Sequence, residues 1–222
     1  MLAKELRAEG RAPVAIGATL LFSVGALAAM AYTIGENRLG PAVHSALVWI
    51  VLLFAAFSGL ARPFVREEEM RTADYLRLHA PPSAVLTGKL LFNVLQMLAI
   101  EIVTVPLYFL VIPASLAAPD IGLLIASLAL GGIGLASAAT LIAAMIARSS
   151  AGGSGGGALF FVVALPIVLP LLMGASRATF AAIAPILAPP STAWNSVTAL
   201  VSYDVVVVAA SYLLFGFVWA DR

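Results

Sequence analysis

The sequence predicts an all-α integral membrane protein with six transmembrane helices and both termini on the cytoplasmic side. Composition is the first reason. Hydrophobic residues make up 62% of the chain and charged residues 10%, with a mean hydropathy of +1.07. A soluble domain carries roughly 45–50% apolar and about 25% charged residues. A fold of 222 residues has too little interior to hide that much apolar surface, whereas a bilayer acts as its solvent. The second reason is six apolar runs of spanning length, and the third is the placement of Lys and Arg. With the N-terminus inside, Lys4, Arg7, Arg11, Arg62, Arg66, Arg71, Arg77, Lys89, Arg148 and Arg222 all fall in cytoplasmic segments. Only Arg38 and Arg177 fall outside, which is the positive-inside pattern.

Residues 1–12 mix Lys4, Arg7 and Arg11 with Glu5 and Glu9, and place Leu2 and Leu6 four apart. This predicts a short amphipathic helix lying in the membrane interface. The first span, 13–34, is long enough to cross a hydrocarbon core of about 30 Å. Its basic start and the small-residue pattern Ala29-Met30-Ala31 also suit a cleaved signal peptide. The run exceeds the roughly 7–15-residue signal core, and two glutamates precede it, so retention as a span is the expectation. The remaining spans are 44–61, 90–112, 121–147, 157–175 and 197–220. Between the last two, 176–196 contains an apolar piece, Ala178 to Ala188, too short to cross. It is expected to form a short helical element at the outer face, ended by Pro189-Pro190.

Segment 62–89 is the one long charged stretch. It holds nine charged residues out of 12 basic and 11 acidic in the chain. Pro63 suits a helix start and Pro81-Pro82 a stop. Between them Met70, Ala73 and Leu76 recur at helical spacing, and Glu67 stands four before Arg71, the favourable ion-pair order. The segment reads either as a solvated loop obeying the positive-inside rule or as an amphipathic helix that docks a soluble partner.

In the third span Glu101 falls near the bilayer midplane. An ionised carboxylate there costs at least about 2.5–3.5 kcal/mol, so such groups face a bundle interior or a watery path. At 100° per residue Asn93, Glu101, Thr104 and Tyr108 share an arc of about 80°, with Gln96 beside it. This polar stripe is expected to face other helices, with Glu101 either a transport group or a protonated structural one. Asp204 in the last span has the same two readings with less functional weight. In the fourth span Ser127, Gly131, Gly134 and Ala138 form a small-residue seam that lets helices approach. In the fifth, Pro166 and Pro170 predict a kinked or broken helix, a candidate gate or a purely architectural feature.

Several chemistries are excluded. The absence of cysteine removes disulfides and thiol nucleophiles. Two histidines, His44 and His79, are too few for an all-protein zinc or haem cage. The run Gly152–Gly157 follows no strand and precedes no Gly-Lys-Ser/Thr, so it is a turn and not a phosphate loop. No enzyme active site and no nucleic acid partner are expected, although a formal net charge of +1 by itself says nothing useful about partners.

The order Arg62-x-Phe64-x-x-Glu67, Thr72, Leu76, Leu78, Pro81, Gly88-Lys89, together with the fifth-span Leu165-Pro166-Ile-Val-Leu-Pro170-Leu-Leu, resembles the B-subunit family of the cytochrome c maturation system (CcmB, haem exporter protein B). The likeness runs over essentially the whole chain. It implies an ABC-2 type permease subunit in the inner membrane, with ATP bound and hydrolysed by a separate CcmA-like chain. It further implies CcmC-like and CcmD-like subunits, a second permease copy, and haem handled by the complex with no cofactor on this chain. ATP hydrolysis in such a complex drives release of a haem-loaded periplasmic chaperone. By position, a coupling helix over Arg66–Leu78 would seat in the ATPase, with Arg62, Phe64, Arg66, Glu67, Glu68, Glu69, Met70, Arg71, Ala73 and Leu76 as contacts. Trp49, Trp194 and Trp219 are scattered, unlike the Trp-rich haem signature of the C subunit, which favours transmission of force over holding haem. The alternatives are an ABC-2 permease for another cargo (a lipid, drug or polysaccharide) and a membrane scaffold without an ATPase.

Overall fold

The computed structural model describes residues 2–11, 14–35, 37–60, 80–112, 119–149 and 156–220. Among them, helices account for nearly everything and no strand occurs. Of the proposed coupling segment 62–89, residues 62–79, including Arg62, Phe64, Arg66, Glu67, Glu68, Glu69, Met70, Arg71, Ala73 and Leu76, lie outside the described residues, as does most of the Gly152–Gly157 run. Residues 82–89 instead form the first turns of the helix Pro82–Val111, so the third span starts earlier than residue 90.

The helices are α1 (Leu2–Arg11), α2 (Val14–Ile34), α3 (Pro41–Gly59), α4 (Pro82–Val111), α5 (Ile121–Ser149), α6 (Gly156–Ile183) and α7 (Pro190–Ala220). The last six are each long and apolar enough to cross a membrane. Their ends follow local chemistry. Gly35 stops α2 at φ +55°, donating its N–H to Ala31 O at 2.9 Å; a left-handed residue just past a helix is glycine's usual place. Pro41 and Pro82 open α3 and α4 at positions where no backbone donor is needed. Asp120 caps α5, its Oδ1 accepting the Leu123 N–H at 2.9 Å.

The end of α6 and the start of α7 depart from two expectations. The apolar piece 178–188 is not a separate surface element. Helix α6 runs unbroken from Gly156 to Ile183, through Pro166 and Pro170, because nothing between Ala175 and Ile183 interrupts the ladder. A short turn follows, with Ala184 N–H on Phe180 O at 3.0 Å, and α7 starts at Pro190. Pro190 therefore opens a helix, and the last span begins earlier than residue 197. The two prolines likewise do not break α6. The carbonyl of Ile167, which lies between them, accepts the Tyr203 hydroxyl at 3.0 Å, so a neighbouring helix fills part of the disturbed stretch.

The six long helices alternate in direction. One end of the bundle carries α1, packed on the start of α4; the other, hereafter the far end, carries the α3, α5 and α7 starts. There the Asp120 N–H donates to Ala182 O at 2.8 Å, tying α5 to the end of α6. Helix α5 is the centre, packed against α6 and α7 and also α4 and α3, while α2 sits on α3 and α4. Its small residues make this approach close. Ser127, Ala136, Ser137, Ala138 and Ala139 are fully buried. At Gly131 an added Cβ would overlap the Trp49 ring. Large apolar side chains such as Ile102, Leu110 and Leu213 point outward, where lipid tails replace a protein partner. Tyr32, 92% exposed, and Trp194, 74% exposed, ring the far end as interfacial aromatics do.

Candidate functional site

The polar face of α4 is the chemical centre of the bundle. Asn93, Gln96, Glu101, Thr104 and Tyr108 are all buried, together with Lys89 at the start of the same helix. A helix places side chains at i, i+3, i+4 and i+7 on one face, and these polar residues keep that spacing. The intervening Leu91, Leu95, Ile102, Val103 and Leu110 are exposed, giving α4 one lipid face and one protein face.

Near the α1 end the face closes a knot of four helices. Asn93 Nδ2 donates to the Leu60 carbonyl at 3.1 Å and to Thr140 Oγ1 of α5 at 2.8 Å. Gly59, last residue of α3, lies against Gln96 of α4 and Thr19 of α2; a Cβ there would come 2.8 Å from Gln96 Nε2 and 2.9 Å from Thr19 Oγ1. The knot thus sits where α3 ends, directly before the charged segment. At the segment's other end, Lys89 is 1% exposed and pairs with Glu5 Oε1 of α1 at 3.4 Å. The Thr87 and Tyr212 hydroxyls meet at 2.7 Å, binding α4 to α7 at the same level.

In the middle of the bundle two carboxyl groups lie against the backbone of α5. A Cβ at Gly132 would stand 2.5 Å from Glu101 Oε1, and one at Gly134 would stand 2.5 Å from Asp204 Oδ1. Glycine supplies the room for both. Residues 132 and 134 point to nearly opposite sides of a helix, so α5 separates the two carboxyls. Among the described residues, Glu101 Oε1, Thr104 Oγ1 and both Asp204 oxygens have no hydrogen-bond partner. An ionised carboxylate at this depth carries the insertion cost given above.

Toward the far end the face finishes on a ring pair. Tyr108 Oη and His44 Nδ1 are 2.9 Å apart, with the rings edge to face at 5.9 Å between centroids. A second polar contact joins three helices, with Trp49 Nε1 donating to Thr179 Oγ1 at 2.9 Å and Ser127 Oγ 3.3 Å from the same oxygen. Trp49 is therefore a buried packing residue, and exposed Trp194 shares no site with it. Pro166 and Pro170 lie on an exposed face of α6, away from the α4 stripe.

Sequence reasoning missed the groups that complete these contacts. Thr19, His44, Gly132, Thr140 and Thr179 carry no local signal, because each matters only through a residue on another helix. The family model for the CcmB protein matches residues 1–215. No curated protein and no solved structure matches the chain. On a match of that extent, supported by six helices of spanning length, the chain belongs to the CcmB family.

Proposed function

We propose that the chain transmits the motion of a separate ATPase across the membrane, so that a haem-loaded periplasmic chaperone is released during cytochrome c maturation. Family membership makes the protein a multi-pass membrane permease of the ABC transporter class, acting in haem transport. Its termini face the cytoplasm, and segment 62–89 is the lever that a CcmA-like ATPase pushes. CcmC-like and CcmD-like subunits and a second permease copy complete the assembly in the inner membrane, with ATP on the partner and haem as cargo of the complex.

One observation carries this reading. The charged segment leaves α3 and enters α4 at points clamped to the rest of the bundle. At the exit, Asn93 joins the Leu60 carbonyl to Thr140. At the return, buried Lys89 joins α4 to α1. A push on such a segment moves packed helices, since close-packed interiors transmit strain. The movement would pass from α3 and α4 to the central α5, and from it to α6 and α7, which pack on it most extensively.

The test is purification of the complex from native membranes with the charges of Glu67 and Arg71 reversed together. The reading expects loss of the ATP-binding chain, with the permease still inserted. Retention of the ATPase removes the docking assignment. Loss of ATPase without loss of haem attachment to cytochrome c favours a different cargo.

A further inference from the structure

From the middle of α4 to its far end, every residue on the buried face that is not hydrocarbon carries an exchangeable proton. Glu101, Thr104 and Tyr108 stand at i, i+3 and i+7, a rise of about 10 Å. Tyr108 then meets His44 Nδ1 at 2.9 Å. His44 lies in the first turns of α3, at the end of the bundle where α4 stops. All four are at least nine-tenths buried. In the other direction Ile100 and Met97 are fully buried, and beyond them stand the amides of Gln96 and Asn93, which lack a hydroxyl's single oxygen that both accepts and releases a proton. The row is therefore one-sided.

We propose that Glu101 is a proton-exchanging carboxylic acid that communicates with the far end of the bundle through Thr104, Tyr108 and His44. Glu101 Oε1 and Thr104 Oγ1 lack a partner among the described residues, and buried oxygens of that kind are where ordered water sits in native proteins. Water is the ligand class, bridging the carboxyl to the two hydroxyls. In a transfer, Thr104, the bridging water and Tyr108 each accept one proton and release one, ending unchanged. The proton leaves Glu101, whose carboxyl becomes a carboxylate, and a proton arrives on His44 Nδ1, making it imidazolium; the reverse transfer restores both. Among the described residues the groups facing the row are few. Helix α5 presents Gly132 to the carboxyl, and α3 presents His44. Tyr32 of α2 points outward, Asp204 of α7 meets α5 at Gly134, and the Glu5–Lys89 pair is at the other end. The inference concerns the chain's own protons and stands whichever cargo the complex moves.

Infrared spectroscopy of the complex in lipid nanodiscs, transferred from water to heavy water, tests this. The wild type should show a carboxylic-acid carbonyl band that Glu101→Gln removes and Asp204→Asn leaves in place. Tyr108→Phe, which keeps the ring against His44, should keep the band but slow its deuterium shift about 10²-fold, the low end for a positioned proton-transfer group. A band untouched by Glu101→Gln means the carboxyl is ionised and overturns the proposal. An unchanged exchange rate in Tyr108→Phe overturns the route.

Discussion

Asn93 Nδ2 of α4 donates to the Leu60 carbonyl at the end of α3, 3.1 Å away, and shares its second proton with Thr140 of α5 at 2.8 Å. One amide thus fixes the last turn of one span against two others. It does so at the residue from which the charged segment departs.

Replacing Asn93 with Leu should lower the protein's stability by about 1–3 kcal/mol, because the buried Leu60 carbonyl and Thr140 hydroxyl lose their shared donor. Thermal unfolding in mild detergent measures this. Thr140→Ala should cost less, since Asn93 keeps its bond to Leu60.

The glycines of α5 are predicted to differ in tolerance. At Gly131 an added methyl meets the Trp49 ring, which is rigid and hydrogen-bonded to Thr179. At Gly132 it meets the end of a flexible glutamate. Gly131→Ala should therefore cost more than Gly132→Ala, within the roughly 1–3 kcal/mol range of core overpacking. Comparing melting temperatures of the two variants checks the order.

Glu5 and Lys89 should behave asymmetrically. Lys89 is the more deeply buried partner, so Glu5→Gln withdraws one interaction from a buried charge, whereas Lys89→Met removes that charge and keeps the packing stem. The loss in Glu5→Gln should stay below the about 3–5 kcal/mol of a fully buried broken pair. Lys89→Met should be milder. Protease accessibility of α1 in detergent reads both.

What the sequence disclosed and what it hid have physical causes. The spans were visible because apolar length is itself the signal, and the inward face of α4 was visible because Asn93, Thr104 and Tyr108 repeat at helical spacing. Span ends were less visible. Pro190 reads as a stop by type but opens α7 by position, and alanine-rich 178–183 reads as part of a separate short helical element only when its continuity with α6 is unknown. The partners of the polar face were hidden. Gly132 and Gly134 look like ordinary packing glycines until Glu101 and Asp204 arrive from other helices. Likewise, nothing near His44 in sequence announces Tyr108.

Reversing charge at Glu67 and Arg71 together should abolish recovery of the ATP-binding chain, while either single reversal weakens it. The co-purified ATPase, normalised to permease, is the readout. Equal recovery in all three variants contradicts a charged docking register.

The sidedness of segment 62–89 is the most direct test. The chain has no cysteine, so Ala73→Cys introduces a single thiol for a membrane-impermeant maleimide. Labelling that occurs only after the cells are opened is the expected result. A thiol at this position modified in intact cells would place the segment outside, beyond reach of any ATPase, and contradict the account.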